Sequence, residues 1–135
     1  MPEIVLPNQK TVLLVEDDVF LSNLLSVRLQ KLGALVLRAY DGEEALGVVK
    51  TSGHKIDLIL LDIIIPKKSG FEVLEELKAD PVFKEIPVMI VSNLGQDADV
   101  EHAKRLGSIF YFIKAQVPID DIISKIKSFL ETGQV

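Results

Sequence analysis

Where the apolar runs of this chain stop, residues able to carry charge or move a proton begin: Asp17 and Asp18, then Asp62, then Ser92, then Lys114. Brought together, three carboxylates repel one another and raise at least one pKa, unless they share a cation. A hard, oxygen-ligated ion such as Mg²⁺ suits that role, because it is commonly held by one or two carboxylates with waters and phosphate oxygens completing its shell. The Ser92 hydroxyl and the Lys114 ammonium then supply donors for an anion beside the metal. Acid, hydroxyl and amine in one place describe phosphoryl chemistry. Each residue also has a plainer reading. Asp62 is a turn-former, Asp17 or Asp18 caps a helix, Ser92 is a strand-end hydroxyl and Tyr111 is a packing residue. Position decides between the two readings, so the elements that carry these residues come next.

The stretch Ile56 to Gly70, IDLILLDIIIPKKSG, is the centre of the pattern. Leu58 to Leu61 has no polar member, is short, and has Pro66 and Gly70 close behind, which predicts a central parallel strand buried on both faces. Asp62 then lies where that strand leaves the sheet, and in open parallel sheets ligands bind at this carboxyl end. Thr11 to Glu16 predicts another buried strand, closed by the acids Glu16, Asp17 and Asp18. From Val19 to Leu32 the period changes. Leu21, Leu24, Leu25, Leu29 and Leu32 share a helical face, with Gly33 as the stop.

Ala34 to Ala39 reads as a strand nearer an edge, since Arg38 interrupts it. Asp41 and Glu44 have capping-box spacing at the start of a helix with a narrow face of Ala45, Val48 and Val49, ended by Gly53. Ser69 and Glu72 repeat that spacing before a helix through Phe71, Leu74 and Leu77, which Asp80-Pro81 terminates. Ile86 to Val91 is the fourth strand. Asp97 to Leu106 is the weakest helix, with Ala98, Ala103 and Leu106 facing inward. Ile109 to Ile113 is the fifth strand, and Pro118 takes the first position of a last helix striped by Ile119, Ile122, Ile123, Ile126, Phe129 and Leu130.

Five strand–helix units with short connections predict right-handed crossovers and an α/β doubly wound parallel sheet covered on both faces. All strand ends of such a sheet share one edge, so the residues named above converge there.

A chain of 135 residues fits one domain. With 48% apolar and 26% charged residues it has an ordinary soluble composition. Net charge is −5 and no basic stripe is present, which argues against direct nucleic-acid binding. The absence of cysteine excludes disulfides and thiolate chemistry and is compatible with a cytoplasmic setting. No apolar run approaches membrane-spanning length. Residues 1–10 are expected to form an extension and 132–135 a tail around a domain at 11–131.

The segments VEDD (Val15 to Asp18), LLDIIIPKKSG (Leu60 to Gly70), VSN (Val91 to Asn93) and YFIK (Tyr111 to Lys114) resemble, in order and spacing, the receiver domains of two-component response regulators. The resemblance covers about residues 11–131. It implies a flavodoxin-like (βα)5 sheet of order 2-1-3-4-5. It further implies Asp62 as phosphoacceptor, Asp17, Asp18 and the Ile64 backbone carbonyl as Mg²⁺ ligands beside Asp62, Ser92 and Tyr111 as a switch pair, and Lys114 as the phosphate-pairing lysine. The implied partners are a histidine kinase or phosphotransfer protein and a downstream protein target, with the face of the fourth helix, fifth strand and fifth helix open to a dimer. The implied catalysis extends only to the protein's own phosphorylation and dephosphorylation. No effector segment is expected beyond residue 131, and output is expected to pass through partners.

Several positions depart from the family pattern. Ala115 follows Lys114 where Pro is common, leaving the geometry of that bond open. Asn93 follows Ser92 where a small residue is usual, and Ile65 precedes Pro66 where Met is frequent. Ile64 and Leu94, which flank the phosphoryl position in the family, are both apolar. Lys67-Lys68 reads as a solvated loop pair or a lure for an anionic donor. His54 and His102 lack partners at ligand spacing and are expected at the surface. Competing functions are a small Mg²⁺-dependent aspartyl-phosphate phosphatase, a flavin or nucleotide binder, and a receiver-like binding module without chemistry. The first wants a second acid where Ile64 stands, and the second wants a Gly- or Ser/Thr-rich loop where the chain has Glu-Asp-Asp.

Overall fold

A computed structural model describes residues 8–135. Five strands, β1 (Thr11–Val15), β2 (Leu35–Ala39), β3 (Leu58–Leu61), β4 (Val88–Ser92) and β5 (Phe110–Ile113), form one parallel sheet in the order β2-β1-β3-β4-β5. The helices are α1 (Val19–Lys31), α2 (Gly42–Ser52), α3 (Gly70–Ala79), α4 (Asp97–Arg105) and α5 (Ile119–Thr132), and a short 3-10 turn, Gly53–Lys55, follows α2. The α/β doubly wound fold and its strand order are those expected. Among the described residues no helix is long and apolar enough to cross a membrane.

Side chains alternate between the two faces of a strand, so each central strand feeds two cores. Val12, Leu14, Leu58, Leu60, Met89, Val91 and Phe112 pack against α1 and α5 on one face. Leu13, Val15, Ile59, Leu61, Val88 and Ile90 pack against α2, α3 and α4 on the other. Leu58 to Leu61 are fully buried, as a strand covered by helices on both sides requires. Truncating any of these leucines to alanine would cost about 2–5 kcal/mol.

Parallel pairing sets the strand ends level. Val15 pairs with Leu61, Leu61 with Ile90, and Ile90 with Tyr111. The residues one to three places beyond these positions therefore meet on one rim.

Several local expectations are corrected. Leu24 is 43% exposed, and the buried positions of α1 are instead Ser22, Leu25, Ser26 and Leu29, because α1 turns its Ser22–Ser26–Leu29 ridge to the sheet. Ala98 is exposed, leaving Ala103 as the buried residue of α4. Pro118 is the cap of α5 rather than its first helical residue, with extended backbone at φ −61, ψ 149. The fourth strand starts at Val88, since Pro87 has no N–H to donate to a ladder. His102 is half-buried, its ring stacked on Phe71 at 4.2 Å, while His54 is exposed. At the start of the chain, residues 1–7 lie outside the described residues, and the Lys10 carbonyl already accepts a hydrogen bond from Leu35 N–H at 2.8 Å. At the other end α5 continues to Thr132 and is closed by Gly133 in the left-handed conformation, φ 74.

Candidate functional site

Glu16 immediately follows β1 and Asp62 immediately follows β3. Since Val15 pairs with Leu61, the two acids leave the sheet side by side. Backbone bonds pin both: Glu16 N–H donates to the Ala39 carbonyl and Asp62 N–H to the Val15 carbonyl, each at 3.1 Å. Both residues are buried, at 2% and 5% exposure. β5 delivers Lys114 to the same place, its N–H held by the Ser92 carbonyl at 2.9 Å. The Lys114 ammonium lies 2.6 Å from Glu16 Oε1 and 2.7 Å from Asp62 Oδ2, bridging the two carboxylates.

Electrostatics follow from that geometry. Burial, reinforced by the nearby Asp62 charge, pushes the Glu16 carboxyl up to about 7, although the bonds from Lys114 and the Asp18 N–H pull the other way. Burial works against the Lys114 ammonium as well, but hydrogen bonds to Asp62 and Glu16 outweigh it and its pKa is raised. The remaining Asp62 oxygen, Oδ1, accepts from the Ile64 N–H at 3.3 Å.

One carboxylate oxygen from each of Glu16, Asp17 and Asp62 lies within 4.8 Å of the others. Three hard oxygen donors face a single ammonium, and the negative excess fits a divalent cation. Asp18, expected in this cluster, stands outside it. Its Oδ1 accepts from Phe20 N–H at 3.0 Å and Leu21 N–H at 3.2 Å, capping α1, while its own N–H is held by Glu16 Oε2 at 3.1 Å. The acids that converge are thus Glu16 and Asp17, one residue earlier than the pair read from the sequence. Counting from the strand end would have found Glu16, since Asp62 stands at the equivalent place behind β3.

Ser92, fully buried at the end of β4, accepts the Leu94 N–H on its hydroxyl at 3.3 Å. The Tyr111 hydroxyl donates to the Leu94 carbonyl, so Leu94 joins Ser92 to Tyr111 through its two backbone groups. Tyr111 is half-buried, and burial together with the Asp99 charge raises the pKa of its phenol. Ile64 and Asn93 are exposed at the rim, Ile64 at 62%. The bond between Lys114 and Ala115 is trans, and Gln116 N–H closes a turn onto the Ile113 carbonyl at 2.9 Å.

Comparison with known proteins agrees with this arrangement. The polar-differentiation response regulator DivK of Brucella anthropi is 34% identical over 121 residues, which covers 90% of this chain and 96% of DivK. The transcriptional regulatory protein CpxR of Klebsiella pneumoniae is 36% identical over 121 residues, 88% of this chain and 48% of CpxR. The chain spans about half the length of several transcriptional regulators that it matches. Among solved structures, the phosphorylated cyanobacterial phytochrome response regulator RcpA superposes with a TM-score of 0.83 at 30% identity, covering 95% of this chain and 98% of RcpA. The Mn(2+)-bound form of response regulator Rcp1 gives 0.80, also at 30% identity, over 93% of this chain and 97% of Rcp1. Residues 12–127 match the family profile of the response regulator receiver domain, and with its sheet order and strand-end acids in place the chain belongs to that family.

Proposed function

We propose that Asp62 accepts a phosphoryl group from the phosphohistidine of a histidine kinase or phosphotransfer protein, and that the change of charge resets a partner-binding face. The observation that carries this reading is the Lys114 ammonium held between Glu16 and Asp62 at 2.6 and 2.7 Å. A cation so placed neutralises the acceptor carboxylate as a phosphoryl group approaches and pairs with the phosphoryl oxygens afterwards. An Asp62 oxygen attacks phosphorus, the phosphorus–nitrogen bond of the donor breaks, and the imidazole leaves. Water later attacks the acyl phosphate, releasing inorganic phosphate and restoring the carboxylate.

Glu16, Asp17, Asp62 and the Ile64 carbonyl are the groups that would hold Mg²⁺, which when bound draws charge from the phosphoryl oxygens. Asp18 serves this set indirectly, by fixing the start of α1. The existence of a Mn(2+)-bound Rcp1 and a phosphorylated RcpA supports the reading. A phosphoryl group on Asp62 draws the Ser92 hydroxyl toward it, which loosens Ser92 from the Leu94 N–H and shifts the carbonyl that Tyr111 holds. The α4–β5–α5 face, where a downstream protein target or a second copy would dock, changes accordingly.

Mass spectrometry after incubation with acetyl phosphate and Mg²⁺ tests this. A transient single adduct that vanishes in Asp62→Ala is expected. Sustained release of phosphate from small substrates would instead assign a phosphatase, and absence of any adduct a binding module.

A further inference from the structure

The seven residues between Asp62 and α3 are clamped from a side the site itself does not occupy. Gly42, the first residue of α2, donates its N–H to the Pro66 carbonyl at 3.2 Å. A Cβ on Gly42 would fall 2.2 Å from the Lys68 carbonyl oxygen and 2.6 Å from Lys68 Cβ, distances at which backbone has to move. The Pro66 carbonyl also accepts from Lys68 N–H at 2.8 Å, across a Lys67 whose φ is 69. A three-residue turn with this bond and a positive central φ is rare and strained, the more so for a residue with a side chain. The Lys67 ammonium lies 3.6 Å from Asp41 Oδ2, while Asp41 Oδ1 caps α2 by accepting Glu44 N–H at 2.8 Å. On the other side Gly70 packs where a Cβ would come 2.3 Å from the Asp62 carbonyl, and its N–H holds the Ile63 carbonyl at 2.8 Å.

We infer that Gly42 is a positioning residue for the phosphoacceptor: the start of α2 holds the Pro66–Lys68 turn in its strained shape and so fixes Ile63 and Ile64 beside Asp62. Strained backbone persists only where its surroundings over-determine it, and here the surroundings are the Gly42 N–H, the missing Gly42 side chain and the Asp41 carboxylate. The inference rests on the assignment of Asp62 and Ile64 to the metal and phosphoryl site. Its consequence is that a residue on a neighbouring helix, with no atom in that site, sets the affinity for the divalent ion.

The test compares wild type, Gly42→Ala, Gly42→Ala with Lys67→Gly, and Asp41→Asn, by Mn²⁺ titration followed by electron paramagnetic resonance, by acetyl phosphate labelling and by thermal unfolding. Alanine suits a helix better than glycine, so any loss in Gly42→Ala comes from the displaced turn. The expected result is a Mn²⁺ dissociation constant raised about tenfold, the range seen when groups supporting metal ligands are disturbed, with slower labelling and an unchanged far-ultraviolet spectrum. Glycine at 67 accepts positive φ freely, so the double variant regains thermal stability without regaining affinity. That split separates positioning from a purely structural role. Asp41→Asn, which keeps the cap and weakens only the hold on Lys67, is expected to show a smaller loss, and it carries the test if Gly42→Ala does not fold. Wild-type affinity in Gly42→Ala, or in Asp41→Asn where that variant stands in, overturns the inference alone. Failure of wild type itself to bind Mn²⁺ and to be labelled overturns the site assignment and the inference together.

Discussion

Glu16 and Lys114 form a 2.6 Å ion pair in which the acid is nearly sealed from solvent, at 2% side-chain exposure against 17% for the lysine. With the Glu16 carboxyl raised from 4.5 to about 7, the folded protein binds this proton more tightly than the unfolded chain does. Stability of the metal-free protein is therefore greatest at low pH with respect to this group, falls as pH rises through 4.5 to 7, and levels off above. The expected fall is about 1–3 kcal/mol. The raised Lys114 pKa adds stability that is lost only in strongly alkaline solution, outside this window. Urea unfolding of metal-free protein at pH 5 and pH 8 measures the effect. Glu16→Gln, which cannot titrate, should show a flatter profile, and an equal slope in both proteins would assign it to other groups.

Removing the bridging cation should hurt in a way that depends on conditions. Lys114→Ala leaves Glu16 and Asp62 facing each other without their shared partner, a loss on the order of 3 kcal/mol when both are ionised. Because burial raises the Glu16 carboxyl to about 7, the loss should be smaller at pH 5 than at pH 8, and saturating Mg²⁺ should restore part of it. Thermal unfolding at both pH values, with and without the metal, gives the comparison. A loss independent of pH and metal would mean that Lys114 acts by packing alone.

How far the sequence reveals this molecule differs from element to element. The run Leu58 to Leu61 is legible because its shortness and the breakers Pro66 and Gly70 close behind favour a strand covered on both faces over a buried helix, and Asp62 is located by its end. Leu24 is misread because five leucines at helical spacing span more arc than one buried face accepts, and the two serines that replace it inside carry no hydrophobic signal. The acid pair is shifted by one for a similar reason. Glu16, Asp17 and Asp18 are consecutive acids, and only the pairing of Val15 with Leu61 shows that Glu16 stands level with Asp62 while Asp18 turns to cap α1. Gly42 is invisible in one dimension, since its role is an approach to Lys68 across the fold.

Tyr111 is expected to report the switch. The chain has two tyrosines and no tryptophan, so Tyr40→Phe leaves Tyr111 as the only tyrosine whose emission is observed. Adding beryllofluoride with Mg²⁺, a mimic of the phosphoryl group, should change the intensity and acrylamide quenching of that emission as the bond to the Leu94 carbonyl is remade. In Tyr111→Phe the missing hydroxyl should cost about 1 kcal/mol and speed hydrogen exchange at Leu94. Identical quenching with and without the mimic would remove Tyr111 from the switch.

The lifetime of the phosphoryl group should be long for a reason visible at the rim. Hydrolysis needs a water held in line behind phosphorus, and Ile64 and Leu94, whose side chains flank that position by family resemblance, have no group with which to hold one. Ile64 is 62% exposed, so Ile64→Asn disturbs little packing, and Leu94→Glu leaves untouched the backbone N–H and carbonyl that bind Ser92 and Tyr111. Orienting a water is a general-base-like contribution of about 10²-fold at most in such sites. A combined gain of several-fold to tenfold in the decay of labelled protein is therefore expected, with the rate of labelling by acetyl phosphate little changed. The discriminating measurement is the loss of labelled phosphate after removing the donor, in wild type and in the double variant. Equal half-lives would place the barrier to hydrolysis elsewhere, in the grip of Lys114 on the phosphoryl oxygens rather than in the want of a polar neighbour.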